Sequence, residues 1–438
     1  MTVDTLLHNG IVLTLDEQFT IIENGAIAIK NGAIDSVWSP SIDEPLPEAK
    51  QRIDLDGGIV MPGLINAHTH LPMSLFRGLA DDLPLHKWLE EHIFPAEAKH
   101  IDPGFVHAGA QLACAEMVLG GTTTCCDGYF LVAHYFDVMN QCGMRAVLGQ
   151  GVIDFPAPGV PDPTMNVDKA KTFVERHLTA AARLTPSIFC HSPYTCSAHT
   201  LTLAKQVASE FGVLFQIHVA ETRTEADQIQ AQHGCSSIQY LNQLGILDSN
   251  TLLVHAVWIN DIDIDIIADS GAGVVHCPES NMKLASGVAP IPDCLNAGIN
   301  VGLGTDGCAS NNNLNLWSEM DSAAKLHKVI RLDPTTMDAQ TVLRMATNHG
   351  ARALGLAHLI GSLEPGKRAD LIVIDNHNPH WMPMYHPASH LVYVAEAADV
   401  RHVMIDGNWV VRERQLLTLD IESVLDTAYR FKQAIQSN

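Results

Sequence analysis

The chain has 438 residues, 47% of them hydrophobic and 17% charged, and a formal net charge of −23. The length suits one large domain with an accessory one, and the composition sets aside a disordered chain. The acidic balance repels phosphate backbones and anionic lipid, so neither nucleic acid nor a membrane is expected as a partner, while a small uncharged molecule fits. No apolar stretch reaches the ~18 residues of a membrane span, and MTVDTLLHNG lacks the basic and apolar regions of a signal peptide. The ten cysteines include no C-x-x-C pair. They read as reduced and buried in a cytoplasmic protein, not as a disulfide framework.

The elements begin with β. "TLLHNGIVLTL" and "GAIAIKNGAIDSVW" are short apolar runs broken by Asn-Gly, a hairpin signal. The middle of the chain then alternates. "GIVMPGLINA", "TTTCCDG", "RAVLGQGVI", "SIFCHSPY", "LFQIHVAE", "LLVHAVW", "GVVHCPES" and "INVGLGTDG" read as strands. Longer helical patterns separate them, such as "DPGFVHAGAQLACAEMVLGG" and "HTLTLAKQVASEFG". Eight strands in roughly 300 residues fit a (β/α)₈ barrel, with a doubly wound open sheet as the competing α/β arrangement. "ADLIVID" and "HVMIDGNWVV" return to short strands, and Ile421 to Gln436 has helical spacing. Neither end has enough strands alone, so the two ends are expected to pair into one small β-domain.

Six strand candidates meet a residue with chemistry: His68 and His70, His191, His218, His255, His276 and Asp306. In a barrel the C-terminal strand ends share one mouth, where active sites are built. Residues i and i+2 of a strand point to one face, so His68 and His70 can both face the axis. Alone, an H-x-H pair is commonly a surface or satisfied core feature; it gains weight when other strand ends also offer ligands. Three neutral imidazoles and one carboxylate suit Zn²⁺ or a similar divalent ion with a position left for water. Glu221 follows His218 by three residues, placing an acid/base beside a ligand, and His255 on the next strand can orient the water. The sequence has no H-E-x-x-H helix, no H-x-E with P-C-x-x-C, no P-loop and no G-x-S-x-G.

The motifs "PGLINAHTH", "HVAET", "LLVHAVW", "VVHCPESNMKLASGVAPI", "GLGTDGCASNNNLN" and "LEPGKRADLIVID" resemble the amidohydrolase superfamily. That resemblance implies a distorted (β/α)₈ barrel over residues 59–360. It also implies a small β-sandwich from residues 1–58 and 361–438, the latter with the terminal helix. "LFRGLADDLPLHKWLEEHIFPAEAKH" looks like the branch acting on S-adenosylhomocysteine and 5′-methylthioadenosine; chlorohydrolase-like and guanine-deaminase-like relatives share much of it, so a deaminase or chlorohydrolase of another heterocycle, guanine, a pterin or a triazine, is the alternative. The resemblance implies one divalent metal ion per subunit on His68, His70, His218 and Asp306, Glu221 as acid/base, and His255 and Asp306 beside the attacking water. It places Glu97, His191, Glu221 and Asp306 against a nucleoside, with Trp88 and Ser310 lining the pocket. It also implies a hydrolytic deaminase and a homo-oligomer, dimer or tetramer. One departure stands out: Gln150 occupies a place where this branch often carries arginine, and Arg145 precedes it. A preference for the neutral methylthio substrate would be one consequence. "SIFCHSPY" also lacks the lysine that a binuclear site needs.

Overall fold

The computed structural model describes residues 2–41, 45–84 and 87–437, so Leu85 and His86 of the long branch motif lie outside the described residues. Eight parallel strands follow one another in chain order around one sheet. They are Leu64–Thr69, Thr122–Tyr129, Arg145–Val152, Leu184–Cys190, Phe215–Val219, Thr251–His255, Gly273–His276 and Val301–Leu303, here the first to eighth barrel strands. The eighth returns to the first through a parallel bridge between Thr69 and Asp306, where the Asp306 N–H donates to the His68 carbonyl at 3.0 Å. This closure decides for a barrel over an open doubly wound sheet. Every residue of these strands is buried except Thr185, as expected of parallel strands covered on both faces.

The helical patterns fold as Pro103–Leu119 and Ala198–Phe211. Asp102 caps the first by accepting from the Phe105 N–H at 2.7 Å, and Ser197 caps the second. Gly212, at φ +62°, ends the second in the left-handed conformation that glycine adopts readily.

The two chain ends form one mixed sheet. Its order is Gln415–Leu416, Asn408–Arg412, Val400–Ile405, Leu371–Ile374, Ile59–Pro62, Val3–Leu13, Ile21–Lys30 and Ala33–Trp38, with Ala49–Asp54 paired beside Val3–Leu13. The antiparallel pairing of Leu371–Ile374 with Ile59–Pro62 joins the two ends. The stretch "GIVMPGLINA" is therefore two strands: Ile59–Pro62 in this sheet and Leu64–Thr69 in the barrel. Asn31-Gly32, at φ +53° and +75°, is the hairpin turn its sequence predicts. Asn9-Gly10 is not. It is a bulge within Val3–Leu13, because the apolar residues on both sides pair with the same neighbouring strand.

Arg145 opens the third barrel strand and makes a two-point ion pair with Asp370, at 2.7 and 3.1 Å. Both side chains are buried between the barrel and the terminal sheet. Among the described residues no helix is long and apolar enough to cross a membrane. All ten cysteines are buried and unpaired.

Candidate active site

The strand ends converge as the i, i+2 argument requires. One ligand atom each from His68, His70, His218 and Asp306 lies within 4.8 Å of the others, and all four residues are buried. His68 Nε2 stands 3.1 Å from His218 Nε2 and 3.5 Å from Asp306 Oδ1, and His70 Nε2 lies 3.2 Å from the same oxygen. Donors held about 2.1 Å from a tetrahedral zinc sit roughly 3.4 Å apart, so this set fits the ion. The tautomers agree. The His70 Nδ1–H donates to the Gly128 carbonyl at 2.6 Å, which leaves Nε2 with its lone pair toward the cluster. Burial holds the His68 imidazole down at about 4 and that of His218 well below the ordinary histidine range, keeping both neutral as ligands must be.

Asp306 is fixed from several sides. Its Oδ2 accepts from Ser280 at 2.8 Å and from Ser310 at 2.9 Å, leaving Oδ1 for the histidines. Burial pushes its carboxyl up, but the facing imidazoles of His68 and His70 outweigh that and hold it well below the usual carboxylate range. Gly304 and Gly307 allow the close approach: a Cβ on either would lie 3.0 Å from His68 or 3.2 Å from His70.

Glu221 and His255 stand beside this cluster, with Glu221 Oε2 3.8 Å from His255 Nε2. The His255 Nδ1–H donates to Asn281 Oδ1 at 3.0 Å, which turns Nε2 toward the mouth. Burial raises the Glu221 carboxyl, and the facing His255 offsets part of that rise. The turn that presents Glu221 is strained, with Ala220 at φ +51°. Glu225 holds it, accepting from the N–H of Ala220 at 2.6 Å and of Glu221 at 3.0 Å.

A cavity of about 510 Å³ opens above these groups. Trp88, Glu97, His191 and Ser310 line it together with His70, His218, Glu221, His255 and Asp306. Glu97 sits on the helix Phe94–His100 and accepts from the Tyr129 hydroxyl at 2.6 Å; burial raises its carboxyl to about 7. The His191 Nδ1 is tied to Thr195 Oγ1 at 3.0 Å, and burial lowers this ring to about 4. The Trp88 indole N–H donates to the Ala80 carbonyl at 3.1 Å.

Three sequence signals lead elsewhere. His276, at the end of the seventh strand, does not reach the mouth; its Nε2 meets His327 Nε2 at 3.1 Å, on the helix Leu316–Arg331 outside the barrel. Gln150 does not line the cavity either, and its side chain hydrogen-bonds the backbone of Val132 and Gly151. Arg145 lies at the opposite end of the same strand, against Asp370. Sequence reasoning also missed Asp127, Glu225 and Asn281. Asp127 lies in the second strand, where the strand-end rule points to it, and it accepts from the Leu71 N–H at 2.6 Å, fixing the turn after His70.

Residues 59–410 match the amidohydrolase family. The chain is 46% identical over 423 residues to a 5-methylthioadenosine/S-adenosylhomocysteine deaminase of Syntrophobacter fumaroxidans, covering 97% of this chain and 96% of that one. It is 41% identical to a 5′-deoxyadenosine deaminase of Methanococcoides burtonii, covering 97% and 96%. The crystal structure of an adenosine deaminase from Xanthomonas campestris with bound zinc superimposes with a TM-score of 0.97 at 36% identity, covering 100% of this chain and 99% of that one.

Proposed function

The chain belongs to the amidohydrolase family, and from that premise we propose that it hydrolyses the 6-amino group of an adenine thioether nucleoside, 5′-methylthioadenosine or S-adenosylhomocysteine, to the inosine analogue and ammonia. One observation carries this reading: a carboxyl and an imidazole, Glu221 and His255, stand beside four convergent metal donors at the floor of a cavity wide enough for a nucleoside. His68, His70, His218 and Asp306 would hold one divalent ion per subunit, with Zn²⁺ the ion their chemistry suits. When bound, it supplies Lewis-acid polarisation and an activated water at neutral pH.

The chain's own groups do the rest. His255 Nε2 and Asp306 Oδ1 accept the proton of the attacking water. The Glu221 carboxyl, whose protonated form burial favours, donates to the purine ring nitrogen beside C6, making that carbon electrophilic. The C6–O bond forms, the C6–N bond breaks, and the amine leaves as ammonia after taking a proton. Glu97 accepts from the ribose hydroxyls, His191 donates to the nucleoside, and Trp88 and Ser310 complete the wall. The same reading places the enzyme in the cytoplasm as a homodimer or homotetramer.

The test is metal content and ammonia release across 5′-methylthioadenosine, S-adenosylhomocysteine, adenosine, guanine and a chlorotriazine. Turnover of the adenine nucleosides is expected. Turnover of only the last two would replace the substrate and keep the class. Glu221→Gln is expected to retain metal and lose about 10² to 10⁴-fold in kcat. His68→Ala is expected to lose the metal, and stoichiometric zinc in that variant would overturn the ligand set.

A further inference from the structure

We infer that the site takes nucleosides whose 5′-substituent carries no charge, and that it discriminates against one ending in an amino-acid group. This rests on the deaminase reading and adds a specificity to it. The cavity has two zones. Its floor holds the titratable groups already described, and its outer wall is carbon: Phe94, Phe130, Phe155, Pro156, Pro158 and Pro161. Among the described residues, no lysine or arginine lines it. Lys283, next in sequence to the lining residue Leu284, is paired with Asp81 at 2.5 Å. Lys87 and Lys99, next to Trp88 and Ala98, are exposed and off the wall.

An amino-acid tail entering this zone would leave water without a counter-charge for its carboxylate. The acidic groups lining the cavity, Glu97, Glu221 and Asp306, offer that carboxylate no counter-charge. Desolvating a charge without a partner is costly, whereas a thioether and its methyl group gain from aromatic contact. The wall is also preformed. Three prolines lie between residues 156 and 161, and a bridge pairs Ala157 with Val160, so the loop has little freedom to swing a polar group inward.

The experiment compares kcat/KM of the metal-loaded enzyme, by ammonia release, for three nucleosides. These are 5′-methylthioadenosine, S-adenosylhomocysteine, and 5′-butylthioadenosine, which matches the homocysteine tail in length but is uncharged. The methylthio compound is expected to exceed S-adenosylhomocysteine by about 10²-fold, with the butylthio compound within about fivefold of the methylthio. Phe155→Arg, at a rim position that is 54% exposed, is expected to raise the S-adenosylhomocysteine to methylthioadenosine ratio by about tenfold or more. Equal rates on the two natural compounds would overturn the inference while the deaminase reading stands. So would a butylthio compound as poor as S-adenosylhomocysteine, or an unchanged ratio in the arginine variant. No ammonia from any of the three would remove the deaminase reading, and this inference with it.

Discussion

Asp306 adopts φ +60°, a conformation that costs a non-glycine residue about 1–3 kcal/mol and persists only where the surroundings hold it. They do: its N–H donates to His68, its carbonyl accepts from Thr69 and Thr305, and its carboxylate accepts from Ser280 and Ser310. The glycines of "GLGTDG" made this turn legible in sequence, since a tight approach needs them. The direction of His276 was not legible. Both faces of a buried parallel strand are apolar, so the period of two gives the alternation without saying which parity faces the axis. Glu97 was legible only through the resemblance, because a helix glutamate is ordinarily a solvated residue. Its buried carboxyl, near 7, yields a prediction with a definite sign. Under the proposed function, as pH rises through 7 it ionises and would accept ribose hydroxyls more strongly, so kcat/KM should rise over that interval. Glu97→Gln should flatten that rise and lower kcat/KM by about 10- to 100-fold, as expected for a lost hydrogen bond to a charged group. A pH profile of the variant matching the parent would refute the contact.

The elements show what pattern reading resolves and what it leaves out. All eight barrel strands fall on the runs picked out by apolar stretches and turn signals, because strand and helix periods differ and each connection buries one helix face. The break at Gly63 escaped that reading, since both halves of the run are buried and only their partners differ. Arg145 escaped too: one arginine at a strand start does not name a partner 225 residues away. Removing one member of such a buried pair leaves an uncompensated charge, which costs about 3–5 kcal/mol. Arg145→Ala should therefore lower denaturant stability by that order. Arg145→Met with Asp370→Leu should recover much of the loss, and activity of the folded fraction should persist, because the pair lies at the end of the strand away from the mouth. A double variant no better than the single would show that Asp370 matters through its other bond, to the Asp406 N–H at 2.7 Å.

At the scale of the whole molecule, the four donors come from the first, fifth and eighth strands, and the first and eighth meet where the barrel closes. An ion bound there links strands that share few ladder bonds, so metal and fold stability are coupled. At a thousandfold excess over Kd, one bound ion stabilises by about 4 kcal/mol. Chelation should lower the melting temperature by several degrees, and added Zn²⁺ should restore it. Scanning fluorimetry that finds the same Tm with and without metal would contradict the coupling.

The pairing of Ile59–Pro62 with Leu371–Ile374 also has a consequence for biosynthesis. The N-terminal strands leave the ribosome first, yet the partner of one of them is about 300 residues further on. At about 5–20 residues per second, the edge at Ile59–Pro62 waits on the order of 15–60 s for its neighbour. During that interval it is an unpaired apolar edge, the kind that recruits other chains. The nascent chain, more than the finished enzyme, is thus where this protein is most exposed to aggregation. Slowing translation late in the message would lengthen that exposure without altering a single residue of the product.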